Sequence, residues 1–288
     1  MSKSALNLQT TRQQFVDDLK KKGRSTATIL AYNKDVDQLI EFIAPKKITT
    51  ADKLTTQHIE DFKQSLSKAN YTAKSISRKL NSIKTFCRFL IAQKHIKDNP
   101  AGPVSHPKYE IKPPRILTKM EYRSLRDVCR DDIRIHAIIE LLLQTGIRIG
   151  ELANLELNDI DTDKLNIQAY ESHSQRQVPL NKPAQQALAA YLKIRPKTKT
   201  KHVSVTKNGR RFLIRNIRTA IDRYFKLSDI KNAKVNDLRH TFIAHQLQAG
   251  TPLTLISKLV GHKRLSTTEK YLEVVKKKDT APASLEEL

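Results

Sequence analysis

Two neighbouring stretches near the end of the chain contain its most informative side chains: "LRHTFIAHQLQAG" at residues 238–250 and "LVGHKRLSTTEKYLEVV" at residues 259–275. The first begins with an adjacent arginine and histidine. The second has a histidine directly after a glycine, and a tyrosine nine residues further on. Apolar residues recur in both stretches at helical spacing. The sequence therefore predicts helices in both stretches.

The composition favours a helical protein that binds a polyanion. The 288 residues include 7 glycines and no tryptophan, and the formal net charge is +24. Residues 1–100 hold 19 Lys and Arg against 9 Asp and Glu, so the excess of positive charge is not confined to one tail. Nucleic acid is the expected partner, because each phosphate neutralised by a cation releases a condensed counterion. A generally basic proteome, or an anionic membrane surface, is the alternative explanation.

Cysteine usage and hydropathy predict a cytoplasmic protein. Cys87 and Cys129 both lie in apolar patterns, and neither has metal-ligand spacing, so we expect reduced, buried thiols and no metal. The N-terminus lacks the apolar segment of a signal peptide, and no apolar run is long enough to span a membrane. We therefore expect no membrane partner.

The first hundred residues predict a module of four helices. The first helix is predicted to start at a threonine cap and end at Gly23, and the second to start at a Ser25 or Thr26 cap. The last has an apolar face and a basic face, and ordinary solvated charge is the alternative to DNA contact on the basic face. The DNA-contacting residues predicted there are Lys74, Arg78, Lys79 and Lys84.

A proline-rich segment divides the chain into two domains. Residues 98–115 contain five prolines, which disfavour both helices and central strands. We place a helical DNA-binding domain at 1–105, a linker at 106–115 and a second domain at 116–288.

The second domain is predicted to mix helices with a small sheet. Thr118 and Glu121 form a capping box at its first helix. Two short strand-like runs, "KLNIQAY" and "RQVPL", follow, and then a helix with proline at its start. A basic loop over 197–211 precedes the last helices, and Ser266 is the predicted cap of the final one.

Four separated motifs resemble the tyrosine recombinases of the phage integrase family: "LLLQTGIRIGEL" (141–152), "NDLRHTF" (236–242), "LVGHKRLSTTEKYL" (259–272) and the helical N-terminal module. Their order and spacing cover nearly the whole chain and are most similar to the compact Xer-type enzymes, some of whose relatives resolve transposon cointegrates. The resemblance implies a mainly α fold with a small β-sheet in the catalytic domain. It also implies a two-domain DNA clamp, with a helical SAM-like core-binding domain and a tyrosine-recombinase catalytic domain.

The resemblance assigns roles to individual residues. Tyr271 matches the nucleophile, and Arg148 and Arg239 match the two arginines that bind the phosphate. His262 matches the histidine that hydrogen-bonds the same phosphate, and Glu151 matches an acidic residue that supports the first arginine. These residue types suit the chemistry, because a tyrosine hydroxyl can form a phosphotyrosine and guanidinium groups grip two oxygens of a charged transition state.

Taken singly, each of these residues has an ordinary structural explanation. An arginine after Gly146 can stabilise a helix C-terminus, because a cation is favourable there. A lone tyrosine is usually part of a core. The agreement of four motifs in order favours catalysis.

The sequence departs from the family pattern at two positions. Asn236 stands where the family has histidine, and an amide cannot take a proton at neutral pH. The hairpin lysine that protonates the leaving group is also missing from residues 165–181. His173 is the predicted general acid, since its ordinary pKa is about 6.5. Lys207, from the basic loop, is the other candidate for this role. Arg176 and Lys207 are also predicted to contact DNA.

The resemblance implies site-specific recombination through a 3′-phosphotyrosine and a Holliday junction, for resolution or integration of a mobile element. It further implies double-stranded DNA with an inverted-repeat core site, a homotetramer, a nucleoid-associated location, and neither cofactor nor metal. The tail after Tyr271 is predicted to be passed to a neighbouring protomer. The alternatives are a DNA-binding regulator that has lost the chemistry and a type IB topoisomerase-like enzyme.

Overall fold

The apolar residues of the first hundred positions fold as helices around one core. The structure is a computed structural model that describes residues 7–171 and 173–279, with side chains described to Val275. The chain divides into two compact units, Met1–Ile111 and Lys112–Leu288. The N-terminal unit contains α1 (Leu8–Lys21), α2 (Thr26–Ile43), α3 (Thr56–Lys68) and α4 (Ala73–Ala92). Phe15 and Phe86 are fully buried at its centre, with ring centroids 5.3 Å apart.

Polar side chains fix where these helices begin. Ser25 caps α2, as predicted, because its hydroxyl accepts a hydrogen bond from the amide of Thr28. The threonine cap predicted for α1 is wrong. Asn7 caps that helix instead, and its side-chain oxygen accepts from the amide of Gln9 at 2.8 Å. The hydroxyl of Thr11 donates to the carbonyl of Leu8 within the helix.

A buried carboxylate joins α2 to α4 in the N-terminal unit. Asp35 is 1% exposed and accepts hydrogen bonds from both Nη atoms of Arg78, from Nζ of Lys79 and from the hydroxyl of Ser82. Lys79 is 5% exposed and also donates to Gln38. This arrangement removes Lys79 from the predicted DNA-contacting face, because its charge is turned into the core and already paired.

The other cations predicted on that face remain accessible. Lys74 is exposed, Lys84 is half-buried and the side chain of Arg78 is 50% exposed although it pairs with Asp35. The face of α4 that is open to solvent is therefore basic but narrower than its sequence suggests.

The C-terminal unit is mainly helical. Its helices are α5 (Lys119–Cys129), α6 (Ile133–Thr145), α7 (Ile149–Asn154), α8 (Lys182–Ile194), α9 (Ile214–Leu227), α10 (Val235–Gln248), α11 (Leu253–Val260) and α12 (Ser266–Asp279). The predicted capping box forms at α5, where the hydroxyl of Thr118 accepts from the amide of Glu121 and the carboxylate of Glu121 accepts from the amide of Thr118. α12 begins at Ser266 itself, so the serine predicted as its cap is its first helical residue.

The two predicted strands pair as a small antiparallel hairpin. β1 (Lys164–Ile167) and β2 (Arg176–Pro179) align Leu165 with Val178, and both side chains are buried. The register places Arg176 opposite Ile167, at the end of β2 nearest the turn.

Gly146 ends α6 in a conformation that only glycine adopts easily. Its φ is +62°, and a Cβ atom at this position would lie 2.3 Å from Cδ1 of Phe242. α10 can therefore pack closely on α6, and the chain turns directly into Arg148 and α7.

In the part of the chain that the structure describes, no helix has the length and apolar character needed to span a membrane. The C-terminal segment predicted to pass to a neighbour lies largely in 280–288, outside the described residues.

Replacing Asp35 by alanine is expected to lower the free energy of unfolding by about 3–5 kcal/mol, because it leaves the ammonium group of Lys79 buried without its counter-charge. Chemical denaturation of the full chain measures this loss. Asp37→Ala is the control, since the pair of Asp37 with Arg12 is partly exposed and should contribute about 1 kcal/mol or less. Equal losses for the two variants would contradict the assignment.

Candidate active site

A single buried carboxylate organises the site. Glu151 is 3% exposed and accepts two hydrogen bonds from Arg176, at 2.9 and 2.7 Å. Arg148 contributes two more, one from its backbone amide at 2.8 Å and one from Nη1 at 3.0 Å. Burial alone would raise the pKa of Glu151, but the hydrogen bonds from Arg176 and Arg148 outweigh burial and lower it to about 2. Glu151 is therefore an anion that holds two guanidinium groups.

The C-terminal carbonyl groups of α11 hold the arginines from the other side. Leu259 O accepts from Nε of Arg176 at 2.6 Å. Val260 O accepts from both Arg148 and Arg239, at 3.1 and 2.6 Å. Carbonyls at a helix C-terminus lack intrahelical partners and carry partial negative charge, which suits cations. One short helix end therefore brings three arginines together.

Gly261 allows this convergence. Its carbonyl accepts from Nη2 of Arg148 at 2.8 Å, and its φ of +66° turns the chain away from α11. A Cβ atom here would lie 3.0 Å from Nη1 of Arg176. The positive φ favours glycine here, and a Cβ atom would crowd the guanidinium of Arg176.

The cluster retains unbalanced positive charge and unused hydrogen-bond donors. Arg239 is 8% exposed and donates to the carbonyls of Gly146 and Val260, which uses two of the five N–H groups of a guanidinium. Burial, followed by the neighbouring charge of Arg148, lowers the pKa of Arg239 to about 9, so it remains a cation at neutral pH. Three guanidinium groups face one carboxylate, and an anion is the missing counter-charge.

Tyr271 lies beside this cluster, on α12 of the same unit. It is 5% exposed and packs in a small core with Phe242 and Val260. Its hydroxyl lies 2.6 Å from Nδ1 of His240. Burial raises the pKa of Tyr271 to about 12, although the charge of Arg239 acts in the opposite direction. The phenol is therefore neutral at physiological pH.

His262 also lies beside Tyr271. Its ring is nearly parallel to that of Tyr271, with centroids 6.4 Å apart. Nδ1 of His262 lies 2.8 Å from the hydroxyl of Thr268, which is fully buried. This contact fixes the ring and leaves Nε2 as the nitrogen that can meet a ligand.

Comparisons with known proteins show the family to which the chain belongs. A model described as "Phage integrase family" matches residues 115–278, and one described as "Phage integrase, N-terminal SAM-like domain" matches residues 13–94. The chain belongs to the phage integrase family. Its predicted fold is confirmed: a mainly helical chain with a two-stranded sheet, formed by a SAM-like domain and a catalytic integrase domain.

Named relatives narrow the activity, and a solved structure shares the fold. The chain is 30% identical over 286 residues to tyrosine recombinase XerD of Rickettsia bellii (strain RML369-C), covering 90% of this chain and 92% of that protein. It is 29% identical over 286 residues to XerC of Anoxybacillus flavithermus (strain DSM 21510 / WK1), covering 94% and 95%. A lambda integrase tetramer bound to a Holliday junction shares the fold, with a TM-score of 0.76, 17% identity, and coverage of 91% and 79%.

The protein is therefore a site-specific tyrosine recombinase, as the motifs predicted. A regulator without chemistry and a topoisomerase-like enzyme, the two alternatives, are not favoured by these relatives.

The integrase fold brings most of the predicted site residues together, but it places Asn236 differently. Asn236 is exposed on the first turn of α10, and its side chain has no hydrogen-bond partner among the described residues. His173 lies close enough that the charges of Arg148 and Arg239 act on it, and burial, followed by the charge of Arg148, lowers its pKa. Its Nδ1 is buried without a partner in the described part of the chain.

Two predicted DNA contacts have unexpected positions. The side chain of Arg176 is 10% exposed and is held by Glu151 and Leu259, so its observed contacts are internal to the site. Lys207 is exposed beside a cavity of about 430 Å³ that is also lined by Asp132, the N-cap of α6. Arg148 follows the other end of that 13-residue helix, which is about 20 Å long. Lys207 is therefore a poor candidate for the general acid.

Three residues of the site were not assigned from sequence. His240 contacts Tyr271, and Thr268 contacts His262. The charge of Lys263 acts on His173. Spacing offered a usable signal for the first two. His240 lies one helical turn after Asn236, and Thr268 lies three residues before Tyr271 on the same helix face.

Folding of the C-terminal unit is expected to favour neutral His262. Burial, followed by the charges of Arg239 and Arg148, lowers the pKa of His262 from near 6.5 to about 4. The contribution to stability is complete above pH 6.5 and is lost as the pH falls towards 4. Thermal unfolding between pH 7 and pH 4 should therefore show a smaller decline for His262→Asn than for the wild type. Parallel curves would contradict the assignment.

Proposed function

We propose that this recombinase cleaves DNA with Tyr271 as the nucleophile and with Arg148, Arg239 and His262 as ligands of the scissile phosphate. The observation that supports the proposal is the position of Tyr271. It packs against Val260, whose carbonyl accepts hydrogen bonds from both arginines, and it lies beside His262. Nucleophile and phosphate ligands thus belong to one protomer.

The chemistry that this arrangement can perform is a transesterification. Oη of Tyr271 attacks the phosphorus, the bond from phosphorus to the 5′ oxygen breaks, and a 3′-phosphotyrosine and a 5′ hydroxyl result. The unused N–H groups of the two arginines stabilise the charge that develops on the non-bridging oxygens. The phosphotyrosine conserves the bond energy, so that a 5′ hydroxyl can reverse the reaction on a new strand without ATP.

Glu151 and Arg176 act on the phosphate indirectly. Glu151 accepts hydrogen bonds from both the side chain and the backbone amide of Arg148. Arg176 supplies the second cation that keeps this carboxylate ionised. Their expected role is to fix the arginine before DNA arrives, so that binding requires little rearrangement.

The leaving 5′ oxygen needs a proton, and His173 is the residue proposed to supply it. Its lowered pKa makes it neutral in the free protein, and an incoming phosphate would raise that pKa by opposing the charges of Arg148 and Arg239. Lys263 is the alternative donor that we propose, because its charge acts on His173.

Binding of DNA is proposed to use both domains as a clamp. Lys74, Arg78 and Lys84 present charge from the N-terminal unit, and Lys207 presents charge from the C-terminal unit, to the phosphates of a double-stranded, inverted-repeat core site.

A homotetramer is the proposed assembly, because a lambda integrase of the same fold forms a tetramer on a Holliday junction. The named relatives are the recombinases XerC and XerD, and we propose resolution or integration of a mobile element in the cytoplasm, at the nucleoid, as the biological role.

Covalent trapping tests the nucleophile. Purified protein is incubated with DNA fragments that flank its own gene, in EDTA, and adducts are separated under denaturing conditions. Wild type is expected to form a protein–DNA adduct and Tyr271→Phe to form none, although both bind. Binding by the wild type without any adduct would contradict the proposal, and an adduct with Tyr271→Phe would assign the nucleophile elsewhere.

A sulfur-substituted substrate tests the general acid, because a 5′-bridging phosphorothioate leaves without protonation. His173→Ala is expected to lower cleavage of normal DNA about 100-fold and to cleave the sulfur substrate at the wild-type rate. Lys207→Ala is the matched comparison: any loss that comes from its proposed DNA contact should be equal on both substrates, with no rescue by sulfur. Rescue of Lys263→Ala but not of His173→Ala would transfer the role to Lys263.

A further inference from the structure

We propose that His240 is the general base that takes the proton of Tyr271, and that it also holds the phenol in place. Nδ1 of His240 lies 2.6 Å from Oη of Tyr271, which is a hydrogen bond to the reacting atom itself. The inference rests on the proposed role of Tyr271 as the nucleophile. It assigns the proton acceptor that the cleavage step requires.

The need for an acceptor follows from the environment of Tyr271. Burial raises the pKa of its hydroxyl to about 12, so the phenolate is scarce near neutral pH. Attack by the neutral phenol is slow unless a neighbouring group removes the proton during the step.

The other polar groups around Tyr271 are unsuited to this task. Arg148 and Arg239 carry donors only. Both oxygens of Glu151 accept hydrogen bonds from arginines. His262 has its Nδ1 on Thr268, and it makes no hydrogen bond to Tyr271 among the described residues.

The position of His240 on α10 explains how it reaches the phenol when Asn236 does not. The two residues are four apart, so they lie on one side of the helix. Asn236 is exposed on the first turn, whereas His240 is half-buried and faces α12, with its ring centroid 5.8 Å from that of Tyr271.

The charges around His240 favour a neutral ring. Burial lowers its pKa, Arg239 acts in the same direction and Asp237 opposes them. Among the described residues, Tyr271 and His262 are the other titratable groups beside it, and both are neutral at pH 7. Neutral imidazole with its proton on Nε2 has an acceptor at Nδ1, and the tyrosine hydroxyl donates to it.

The step conserves every atom. Oη of Tyr271 forms its bond to phosphorus while its proton passes to Nδ1 of His240, giving imidazolium. The bond from phosphorus to the 5′ oxygen breaks, and that oxygen gains a proton from the general acid or from water. In rejoining, imidazolium returns the proton to the departing tyrosine.

Single-turnover cleavage as a function of pH tests the base. The wild-type rate is expected to be flat above pH 6.5 and to fall in acid, since protonated His240 cannot accept. His240→Ala should lose about 100-fold at pH 7, and its rate should rise about tenfold per pH unit as phenolate forms. A flat profile for His240→Ala would overturn the proposal.

Two further variants separate the base from simple placement of the ring. His240→Asn can still hydrogen-bond the phenol but cannot take its proton, so it should retain thermal stability and keep the steep profile of His240→Ala. A wild-type rate for His240→Asn would reduce the role to positioning and overturn the assignment as base. His245→Ala, an exposed histidine on the same helix, is the matched control and should show the wild-type profile.

Nitrogen NMR of histidine-labelled protein without DNA tests the contact independently of recombination. The resonance of Nδ1 of His240 should be that of an unprotonated nitrogen at pH 7, and it should shift in Tyr271→Phe. A protonated Nδ1 at pH 7 would overturn the proposal even if the wild type forms adducts. Conversely, absence of any adduct from the wild type would contradict the function while leaving this contact intact.

Discussion

The attraction between three guanidinium groups and the polar end of α11 is the constraint on which the site depends. Like charges repel, so Arg148, Arg176 and Arg239 can share a buried space only if negative groups separate them. The structure supplies Glu151 and the carbonyls of three consecutive residues, 259–261. Those groups balance part of the charge. The remainder is net positive charge, which attracts anions and is present before DNA binds.

The positions of the helices follow from the same requirement. α6 must end at Gly146 so that Arg148 can reach the end of α11, and α10 must pack closely on α6 so that Arg239 can reach it too. These requirements concern backbone geometry. They explain why glycine occupies the turn after α6, at Gly146, and the turn after α11, at Gly261. Local sequence, long-range packing and electrostatics therefore agree in this region.

Much of this could be predicted from the sequence, because periodicity and caps are local signals. The helices, the hairpin, the capping box at Thr118 and the four motifs all follow from residues close together in the chain. The partner of a long side chain is not a local property. The sequence placed Lys79 on a basic face, but a carboxylate 44 residues away, at Asp35, takes its charge. Arg176 was likewise predicted to contact DNA although its observed partners are Glu151 and Leu259.

His240 illustrates the same limit, but here a contact was missed and not wrongly predicted. Its neighbour Arg239 was assigned because it belongs to a motif, whereas the contact of His240 with Tyr271 depends on how α12 packs on α10, 31 residues further along the chain. A helical wheel of α10 identifies the face that His240 shares with Asn236. It does not identify what lies opposite that face.

The packing of α12 has one more consequence. Thr268 and Tyr271 project from the same side of this helix, one to His262 and the other to His240. A rigid displacement of α12 would break both contacts in a single event. The proposed nucleophile and the ring of a proposed phosphate ligand are thus held by one helix, and losing only one of the two contacts would require α12 to deform. In the proposed tetramer, a movement of this one helix would therefore release or restore both groups of a subunit together.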